Sequence, residues 1–451
     1  MTKRRYNICM VSDFFYPNTG GVESHIFQLS QCLIARGHKV VVITHSYGDR
    51  KGVRYMTSGL KAYYIPAPTF HNQSCLPTML PMLPLFRNIL IRESIDIVHG
   101  HSAFSTMAHE TMMHARAMGL KSVFTDHSLF GFADVSAVVT NNFLQMSLVD
   151  CNHCICVSHT SKENTVLRAL VKSHLVSVIP NAVDSTMFTP DPTKRKEGRI
   201  TIVTMSRLVY RKGIDLLALV MPALCQKYSQ VDFIVGGDGP KRHVLEETIS
   251  EFSLETRVRL LGNVEPCNVR EVLVQGDIFV NTALTEAFCM AIVEAAACGL
   301  QVVTTRVGGI PEVLPPDLLW MCEPNPTALF DAVECAIEAR IAGKVVDPFV
   351  AHERVARMYQ WTDIAERTEK VYHSIASDKP LDLRTRIKRY KSCGFLAGNF
   401  FTVLLLICHG VLVLLEWLYP RDSIDICPDL VLKTSEDCLS SPMDSNRKQN
   451  L

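Results

Sequence analysis

The stretch NICMVSDFFYPNTGGVESHIFQLSQCLIARGHKVVVIT, residues 7–44, decides the fold class. It begins with a short apolar run at 7–12, which is followed by the glycine pair Gly20-Gly21. A helical pattern then covers 22–36, and a second apolar run follows at 39–44. A buried strand, a glycine turn, a helix and another strand form a βαβ unit, and such units build parallel sheets.

The same alternation continues outward from this unit. In the first half, we predict further strands at 96–99, 122–125, 154–157 and 176–179. A polar stretch at 191–198 interrupts the pattern and marks a linker. Strands are then predicted at 200–205, 232–235, 277–281, 301–304 and 318–322. The expected fold is therefore α/β, with two Rossmann-like doubly wound halves that face a cleft and bind ligands at the carboxyl ends of their strands.

Composition narrows the functional class. The 451 residues are 47% hydrophobic and 20% charged, and the formal net charge is +1, which argues against disorder and against a general nucleic-acid binder. The 16 cysteines are scattered singly through apolar stretches, which is typical of a reducing compartment. Cys151, Cys154 and Cys156 flank His153 without a second cluster, so buried thiols are favoured over a zinc site. The first apolar run is too short for a signal peptide, and we expect a cytosolic catalytic part.

The character of the chain changes after about residue 376. A basic run at 384–391 precedes 21 largely apolar residues, 395–415, which would extend ~32 Å as a helix. Trp417 and Tyr419 follow at the end where an aromatic belt is expected. We predict a transmembrane helix, with a buried core helix as the alternative, and the preceding cations place the catalytic part on the cytosolic side.

The second half carries most of the groups suited to a phosphorylated ligand. Ser206 to Gly213, SRLVYRKG, contains three cations between a strand and a helix and could neutralise a diphosphate, although solvated loop charges are the alternative. Gly236-Gly237-Asp238-Gly239 follows a strand but does not complete the dinucleotide fingerprint, because Arg242 stands at its third glycine position. Glu286 and Glu294 flank a helix start, from which they could reach two parts of one ligand.

The first half contributes a glycine turn and a histidine. Gly20-Gly21 opens a helix after a strand, where the backbone can approach an anion, although a tight turn without a ligand is an equal alternative. His127 follows a predicted strand at the end where this fold binds ligands, as do His99 and His101. A lone histidine is more often structural. The sequence has no Asp-x-Asp, the motif with which many sugar-nucleotide enzymes hold a divalent metal ion. If the ligand is a sugar nucleotide, lysine and arginine side chains would have to balance its diphosphate instead.

Together these motifs resemble the retaining glycosyltransferases of the GT-B fold, family 4, over about residues 6–376. The resemblance rests on the Gly20-Gly21 loop with Glu23, on the motifs of the second half described above, and on two further segments, PNAVD at 180–184 and GGIPE at 308–312. Longer stretches, among them TDHSLFGFADVS at 125–136 and LTEAFCMAIVEAA at 284–296, are similar to one branch of that family. That branch transfers N-acetylglucosamine from its UDP form to phosphatidylinositol, the first step of glycosylphosphatidylinositol (GPI) anchor synthesis.

The resemblance implies roles for individual residues. Positions matching Arg207 and Lys212 bind the donor diphosphate, the one matching Glu294 binds the ribose, and the one matching Glu286 contacts the donor sugar. The catalytic set implied is His127, Glu286, Arg207 and Lys212, and the donor-binding set adds Gly20, Gly21, Gly237, Phe288, Cys289, Met290 and Glu294. Many relatives have glycine where this chain has Ala287 and Cys289, which leaves the backbone path around the sugar open.

The resemblance also implies a setting. It predicts a retaining transferase without a metal cofactor, working with other subunits at the endoplasmic reticulum membrane. Two alternatives remain: another lipid-linked glycosyltransferase, such as a mannosyltransferase acting on a dolichol-linked sugar, and an inactive scaffold within a membrane complex. The apolar run LPTMLPMLPLF, 76–86, is predicted to dip into the cytosolic leaflet, with a buried loop leading into a core helix as the alternative. The sequon at Asn72 is predicted to be unused.

These inferences divide the chain into six parts. They are an acceptor-side domain (1–190), a UDP-sugar domain (198–360), a helix returning toward the first domain (361–376), a basic linker (377–392), a transmembrane helix (393–419) and a lumenal tail (420–451).

Overall fold

The computed structural model describes residues 4–71, 73–129 and 135–428. Asn72, with its sequon, and residues 429–451 of the predicted tail lie outside the described residues. Residues 130–134 of the stretch TDHSLFGFADVS are likewise outside them.

The first half is built on an eight-stranded sheet. The strands are β1 (Asn7–Val11), β2 (Lys39–His45), β3 (Gly52–Tyr55), β4 (Lys61–Ile65), β7 (Ile97–His101), β8 (Lys121–Asp126), β9 (His153–Cys156) and β10 (Val176–Val178), with a separate hairpin of β5 (Thr69–His71) and β6 (Ser74–Cys75). The strand order is β10-β9-β8-β7-β1-β2-β4-β3, and all neighbours are parallel except the antiparallel pair β3–β4. The helices of this half are α1 (Gly21–Ala35), α2 (Leu83–Arg92), α3 (Thr106–Ala117), α4 (Val135–Leu148) and α5 (His159–Ala169).

The second half is built on a six-stranded parallel sheet. Its strands are β11 (Ile200–Met205), β12 (Val231–Gly236), β13 (Val258–Gly262), β14 (Ile278–Asn281), β15 (Gln301–Thr305) and β16 (Leu319–Cys322), in the order β13-β12-β11-β14-β15-β16. Its helices are α6 (Ile214–Lys227), α7 (Arg242–Glu251), α8 (Val269–Leu273), α9 (Met290–Ala297), α10 (Pro326–Ile341) and α11 (Pro348–Met358). The inner strands of both sheets are almost continuously buried and apolar, as parallel sheets covered on two faces require.

The predicted fold class is confirmed. Every strand predicted from an apolar run is present within one or two residues of its expected ends. Three strands of the two large sheets were missed: β3, β4 and β13. All four residues of β3 are exposed, and exposed positions interrupt β13, so neither strand forms a continuous apolar run.

Three helices end the described chain: α12 (Trp361–Ile375), α13 (Leu383–Lys391) and α14 (Phe395–Leu418). Helix α12 packs back on the first half, where its Glu369 accepts hydrogen bonds from Arg36 and pairs with His38 at 3.0 Å. The hydroxyl of Tyr372 of α12 lies 2.7 Å from Nδ1 of His99. Helix α12 follows the second half in the chain but packs against the first half, so it links the two.

Helix α14 is long and apolar enough to cross a membrane, with 24 residues. One of its faces is buried against α2, α3 and α4 of the first half, in a cluster that includes Leu83, Leu405 and Cys408. The run at 76–86 supplies part of this platform. Leu83 is fully buried, so for this side chain the expectation of insertion into lipid is wrong. Met79 is partly buried and Leu76 is exposed, so for these two side chains insertion stays a prediction.

Candidate active site

The loop after β11 carries the cations predicted to bind a diphosphate. Arg207 is exposed, and within the described chain it has neither an ion pair nor a hydrogen-bonding partner for its guanidinium. Lys212 ends a 3-10 turn, and Gly213 follows in a left-handed conformation at φ +68°. A Cβ on Gly213 would lie 1.8 Å from the carbonyl oxygen of Thr282, so only glycine lets this loop approach the loop after β14.

The glycine loop after β12 supports the Arg207 loop from the other side. A Cβ on Gly237 would lie 1.8 Å from the carbonyl oxygen of Ser206, and Gly237 has φ +125°. The amide of Leu208 donates to the carbonyl of Asp238 at 2.9 Å. The absence of a side chain at Gly237 thus allows the loop after β12 to contact the loop after β11. This contact fixes the backbone on either side of Arg207.

Lys212 and Glu286 form an ion pair between Nζ and Oε1, and both side chains are largely buried. Burial acts to lower the pKa of Lys212, but the Glu286 carboxylate outweighs it, and the pKa is raised. The ammonium therefore stays charged at neutral pH. The hydroxyl of Thr282 donates to the carbonyl of Lys212 at 2.8 Å and fixes the loop from which the lysine extends.

The predicted donor-binding residues after Glu286 form the start of α9. Cys289 caps this helix with φ +70°, a left-handed conformation that glycine adopts without strain. Cys289 therefore has the backbone conformation that glycine would adopt at this position, where the resemblance implies a glycine. Phe288 packs its ring on Tyr359 with centroids 5.5 Å apart, so its side chain belongs to the core. The amides near Met290 begin the helix, where the first N–H groups have no intrahelical acceptor.

Glu294 lies inside α9 and is half-buried. Desolvation raises its pKa to about 7. A carboxyl group in this state can accept hydrogen bonds from sugar hydroxyls when ionised and donate one when protonated.

The glycine pair of the first half lies where α1 begins. Gly20 has an extended backbone, and a Cβ there would lie 2.5 Å from a carboxylate oxygen of Glu23. No atom lies within 4 Å of a Cβ built on Gly21, which leaves open space beside it. Burial raises the pKa of Glu23, and Asn18 and the positive charge of Arg207 act against that rise. The positive charge of Arg207 in the second half therefore acts on the Glu23 carboxyl group in the first half.

His127 follows β8 and belongs to a histidine cluster that sequence reasoning missed. Its Nε2 lies 3.3 Å from Nδ1 of His101, and its ring packs edge-on against His25 at 4.7 Å. Burial and the neighbouring histidines hold the pKa values of His101 and His127 well below the usual range, and burial lowers that of His25 to about 4. All three imidazoles are therefore neutral at physiological pH. His99 instead contacts Tyr372 and Thr125, both at 2.7 Å, in a structural role.

These three imidazoles, of His25, His101 and His127, offer nitrogen atoms within 4.8 Å of one another. The 3.3 Å contact between the His101 and His127 ring nitrogens and the ring contacts with His25 order the cluster.

Glu312 is a second residue whose role was missed. Its carboxylate accepts hydrogen bonds from the amides of His159 and Thr160, at 2.6 and 2.9 Å, and from the Thr160 hydroxyl at 2.8 Å. These donors belong to the first turn of α5 in the first half, whereas Glu312 belongs to the second half. Burial acts to raise the pKa of Glu312, and the three hydrogen bonds lower it overall. The motif GGIPE therefore joins the two halves beside the cleft.

Comparison with known sequences identifies the family. The sequence model of the family described as PIGA (GPI anchor biosynthesis) matches residues 45–134, and that of glycosyl transferases group 1 matches 187–346. The chain is 58% identical over 427 residues to a Homo sapiens protein named as one of the phosphatidylinositol N-acetylglucosaminyltransferase subunits, covering 94% of this chain and 88% of the relative. It belongs to the PIGA family of phosphatidylinositol N-acetylglucosaminyltransferase subunits. The protein of the same name from Arabidopsis thaliana is 52% identical, with 95% of each chain covered.

Membership of the PIGA family makes the chain a glycosyltransferase and confirms the branch suggested by the long sequence stretches. Solved structures agree on the fold. Sucrose-phosphate synthase from Thermosynechococcus elongatus superposes with a TM-score of 0.68 at 18% identity, covering 82% of this chain and 99% of that one. HepE from Anabaena in complex with UDP-glucose gives 0.66 at 18% identity, covering 82% and 100%. The relatives are named as parts of a transferase, which implies an assembly with other chains, and α14 is consistent with membrane association.

Proposed function

We propose that this chain transfers N-acetylglucosamine from UDP-N-acetylglucosamine to phosphatidylinositol, the first step of GPI-anchor synthesis. The observation that carries the proposal is the near full-length identity of 58% to a protein named for this transfer. The arrangement of Arg207 and of the Lys212–Glu286 pair gives it a chemical basis, because a UDP leaving group needs fixed positive charge beside its diphosphate.

The proposed reaction retains the anomeric configuration. The bond between the sugar's anomeric carbon and the UDP oxygen breaks, and a bond to the inositol hydroxyl oxygen forms on the same face. The hydroxyl proton passes to the departing phosphate. Arg207 and Lys212 stabilise the charge that develops on UDP, and no metal ion is required in this scheme.

The remaining groups position the donor. Glu286, oriented by Lys212, accepts hydrogen bonds from the sugar hydroxyls, helped by the amides of Phe288, Cys289 and Met290. Glu294 binds the ribose. Gly20 and Gly21 leave room for the phosphates at the start of α1. The neutral imidazole of His127 lies toward the reacting face, where it can exchange a hydrogen bond with the sugar without adding charge.

We place the enzyme at the endoplasmic reticulum membrane, with both catalytic halves in the cytosol and with partner subunits. Phosphatidylinositol is a membrane lipid, so the cleft must lie at a bilayer surface. Helix α14 and the cations of α13 provide the attachment. The length and hydropathy of α14 support a single span that is followed by a lumenal tail.

The test uses microsomes from cells that lack their own catalytic chain, complemented with this one. Labelled UDP-N-acetylglucosamine should yield a phospholipase-sensitive lipid. Arg207→Ala should lower the rate ~10²–10³-fold, the usual loss for one group that stabilises charge in the transition state. Arg357→Ala removes an exposed arginine that pairs with Glu353 on one helix, and it should leave the rate unchanged.

Each alternative predicts a different result. A mannosyltransferase would label lipid from GDP-mannose with a dolichol-linked acceptor and not from UDP-N-acetylglucosamine. If this chain is an inactive scaffold, its Glu286→Gln variant should support transfer as well as the wild type does, provided that the complex assembles. Wild-type turnover by Arg207→Ala would remove the assigned role of that residue.

A further inference from the structure

The proposed acceptor carries a fixed negative charge that the enzyme has to bind. In phosphatidylinositol a phosphodiester is bonded directly to the inositol ring, so the group that binds this anion lies close to the reacting hydroxyl. The part of the chain that matches the PIGA family model, residues 45–134, lies in the first half. A cation that recognises the lipid acceptor is therefore expected in this part of the first half, at the edge that borders the cleft.

The turn between β2 and β3 lies at the carboxyl end of the parallel strands. Tyr47 and Arg50 close this turn through two backbone hydrogen bonds, of 3.1 and 2.9 Å. The Tyr47 hydroxyl donates to the carbonyl of Asp13 at 2.7 Å and accepts from the amide of Phe15 at 3.1 Å. The turn is therefore fastened to the loop after β1, which leads to the glycine pair at the start of α1.

Electrostatic effects place this turn near the loop that binds the donor diphosphate. Burial raises the pKa of the Tyr47 hydroxyl, and the negative charge of Glu23 adds to the rise. The positive charge of Arg207 acts on Glu23 in turn. Because charges are largely screened beyond ~10 Å, Tyr47, Glu23 and Arg207 lie in one neighbourhood. Arg50 is three positions from Tyr47 and so belongs to the same side of the cleft.

The side chain of Arg50 is oriented by an aromatic ring. Its guanidinium carbon lies 5.4 Å from the centroid of the Tyr64 ring, within the range of a cation–π contact. The Tyr64 hydroxyl donates to the carbonyl of Tyr16 at 2.8 Å, which fixes the ring. Arg50 is half-buried, and among the described residues no carboxylate forms an ion pair with it. Its planar fork of N–H donors is therefore ordered and available to an anion.

Three lysines of the same region differ from Arg50. Lys39 and Lys61 are the first residues of β2 and β4, at the opposite edge of the sheet, and both pair with Glu93. Lys51 follows Arg50 directly but is exposed to solvent. Of these four cations, Arg50 alone combines a position at the cleft edge, a half-buried side chain and a charge that no carboxylate of the described chain neutralises.

We propose that Arg50 binds the phosphodiester of the lipid acceptor. Its guanidinium donates two hydrogen bonds to the free phosphate oxygens, and the inositol ring bonded to that phosphate enters the cleft. The two phosphate groups of the reaction are then held by separate cations: Arg207 and Lys212 of the second half hold the donor diphosphate, and Arg50 of the first half holds the acceptor. The proposal rests on the proposed function, for which it names an acceptor-binding residue.

The test uses the full chain with its partner subunits, reconstituted in phosphatidylcholine vesicles. Phosphatidylinositol is varied, and phosphatidylserine is adjusted so that the total anionic lipid stays constant. In Arg50→Gln we expect the half-saturating fraction of phosphatidylinositol to rise ~10–10²-fold, as for the loss of one hydrogen bond to a charged group, with an unchanged KM for UDP-N-acetylglucosamine. Arg50→Lys keeps the charge without the fork and should give an intermediate value. Lys51→Gln, the matched control, should leave both constants unchanged.

Several results would overturn the proposal. One is a wild-type half-saturating fraction in Arg50→Gln. Another is an equal rise in Lys51→Gln, because the turn would then attract any anionic membrane. A third is a rise in the KM for UDP-N-acetylglucosamine instead, which would place Arg50 at the donor. Transfer by the wild type in the same vesicles reports on the proposed function separately.

A second measurement does not depend on turnover. Glycerophosphoinositol, a water-soluble headgroup with the same phosphodiester, should raise the thermal unfolding midpoint of the wild-type complex and raise that of Arg50→Gln much less. UDP should stabilise both complexes equally, which shows that the variant is folded. The proposal is wrong if glycerophosphoinositol stabilises neither complex or stabilises both to the same extent. A wild-type complex that is stabilised by it but makes no labelled lipid would contradict the proposed function alone.

Discussion

Replacing Gly213 by alanine tests whether the position of the Lys212 loop controls turnover. The added Cβ would lie 1.8 Å from the carbonyl oxygen of Thr282, whereas real Cβ contacts stay beyond 3.0 Å, so the loop must move by about 1.2 Å. Lys212 precedes this glycine directly, and its ion pair with Glu286 would move with the loop. A misplacement of ~1 Å at a reacting centre costs ~10²-fold in rate.

The left-handed backbone adds a separate cost, for which the chain offers a matched control. Gly198 has φ +69°, against +68° for Gly213, and a Cβ built there has no atom within 4 Å. Alanine at either position costs ~1–2 kcal/mol for the left-handed conformation. We therefore expect Gly198→Ala to lose some stability and retain its rate per molecule, and Gly213→Ala to lose ~10²-fold in rate as well.

The assay is transfer of labelled N-acetylglucosamine to lipid in complemented microsomes, divided by the amount of chain measured by immunoblot. Detergent-solubilised complexes give the thermal unfolding midpoints of the two variants. A Gly213→Ala enzyme with the wild-type rate per molecule would refute the reasoning. So would a Gly198→Ala enzyme with the same loss of rate, because backbone strain alone would then explain both results.

Two further predictions concern the cleft. Because burial raises the pKa of Glu294 to about 7 from 4.5, the folded chain holds this proton more tightly than the unfolded chain, and the associated stability is lost as pH rises toward and through 7. The unfolding midpoint should therefore fall more between pH ~6 and ~8 in the wild type than in Glu294→Gln, and equal slopes would contradict the burial of a protonated carboxyl. Glu312→Ala removes three hydrogen bonds between the halves and should lower the free energy of unfolding by ~1–3 kcal/mol, measured by chemical denaturation. Glu323→Ala, at an exposed pair 3.9 Å long, should change it by less than ~0.5 kcal/mol.

The sequence was sufficient for most of the parallel strands because burial on both faces leaves continuous apolar runs, although the parallel strands β4 and β13 were missed. Residues 200–205 illustrate this, since the predicted strand and β11 have the same ends. The strand β3 was missed because all four of its residues face solvent, and only its pairing with β4 defines it. A local apolar pattern therefore identifies strands whose side chains are buried, and it misses a strand such as β3, which is defined only by its hydrogen bonds to a neighbouring strand.

The sequence likewise predicted part of the candidate site. Arg207, Lys212 and Glu286 lie in recognisable motifs, and the fold brings Lys212 and Glu286 into contact. His101 and His127 were both placed at strand ends from the sequence, whereas His25 lies on α1, 102 positions before His127, and no pattern joins it to them. Glu312 was noted as part of a motif, but its acceptor role needs α5 of the other half. The burial of Leu83 depends on α14, more than 300 residues later.

The position of Arg87 beneath α14 has a consequence for how the protein is made. Arg87 of α2 is buried, and its Nη2 donates a hydrogen bond at 2.6 Å to Oε2 of Glu416 on α14, which follows 329 residues later in the chain. At ~5–20 residues per second, translation delivers that partner roughly 15 to 65 s after Arg87 has emerged from the ribosome. During this interval the first half has an uncovered apolar platform with a cation in it, a surface that chaperones bind. Any termination before codon 416 would leave that surface permanently uncovered, so truncated chains with both catalytic halves complete should still be removed by quality control.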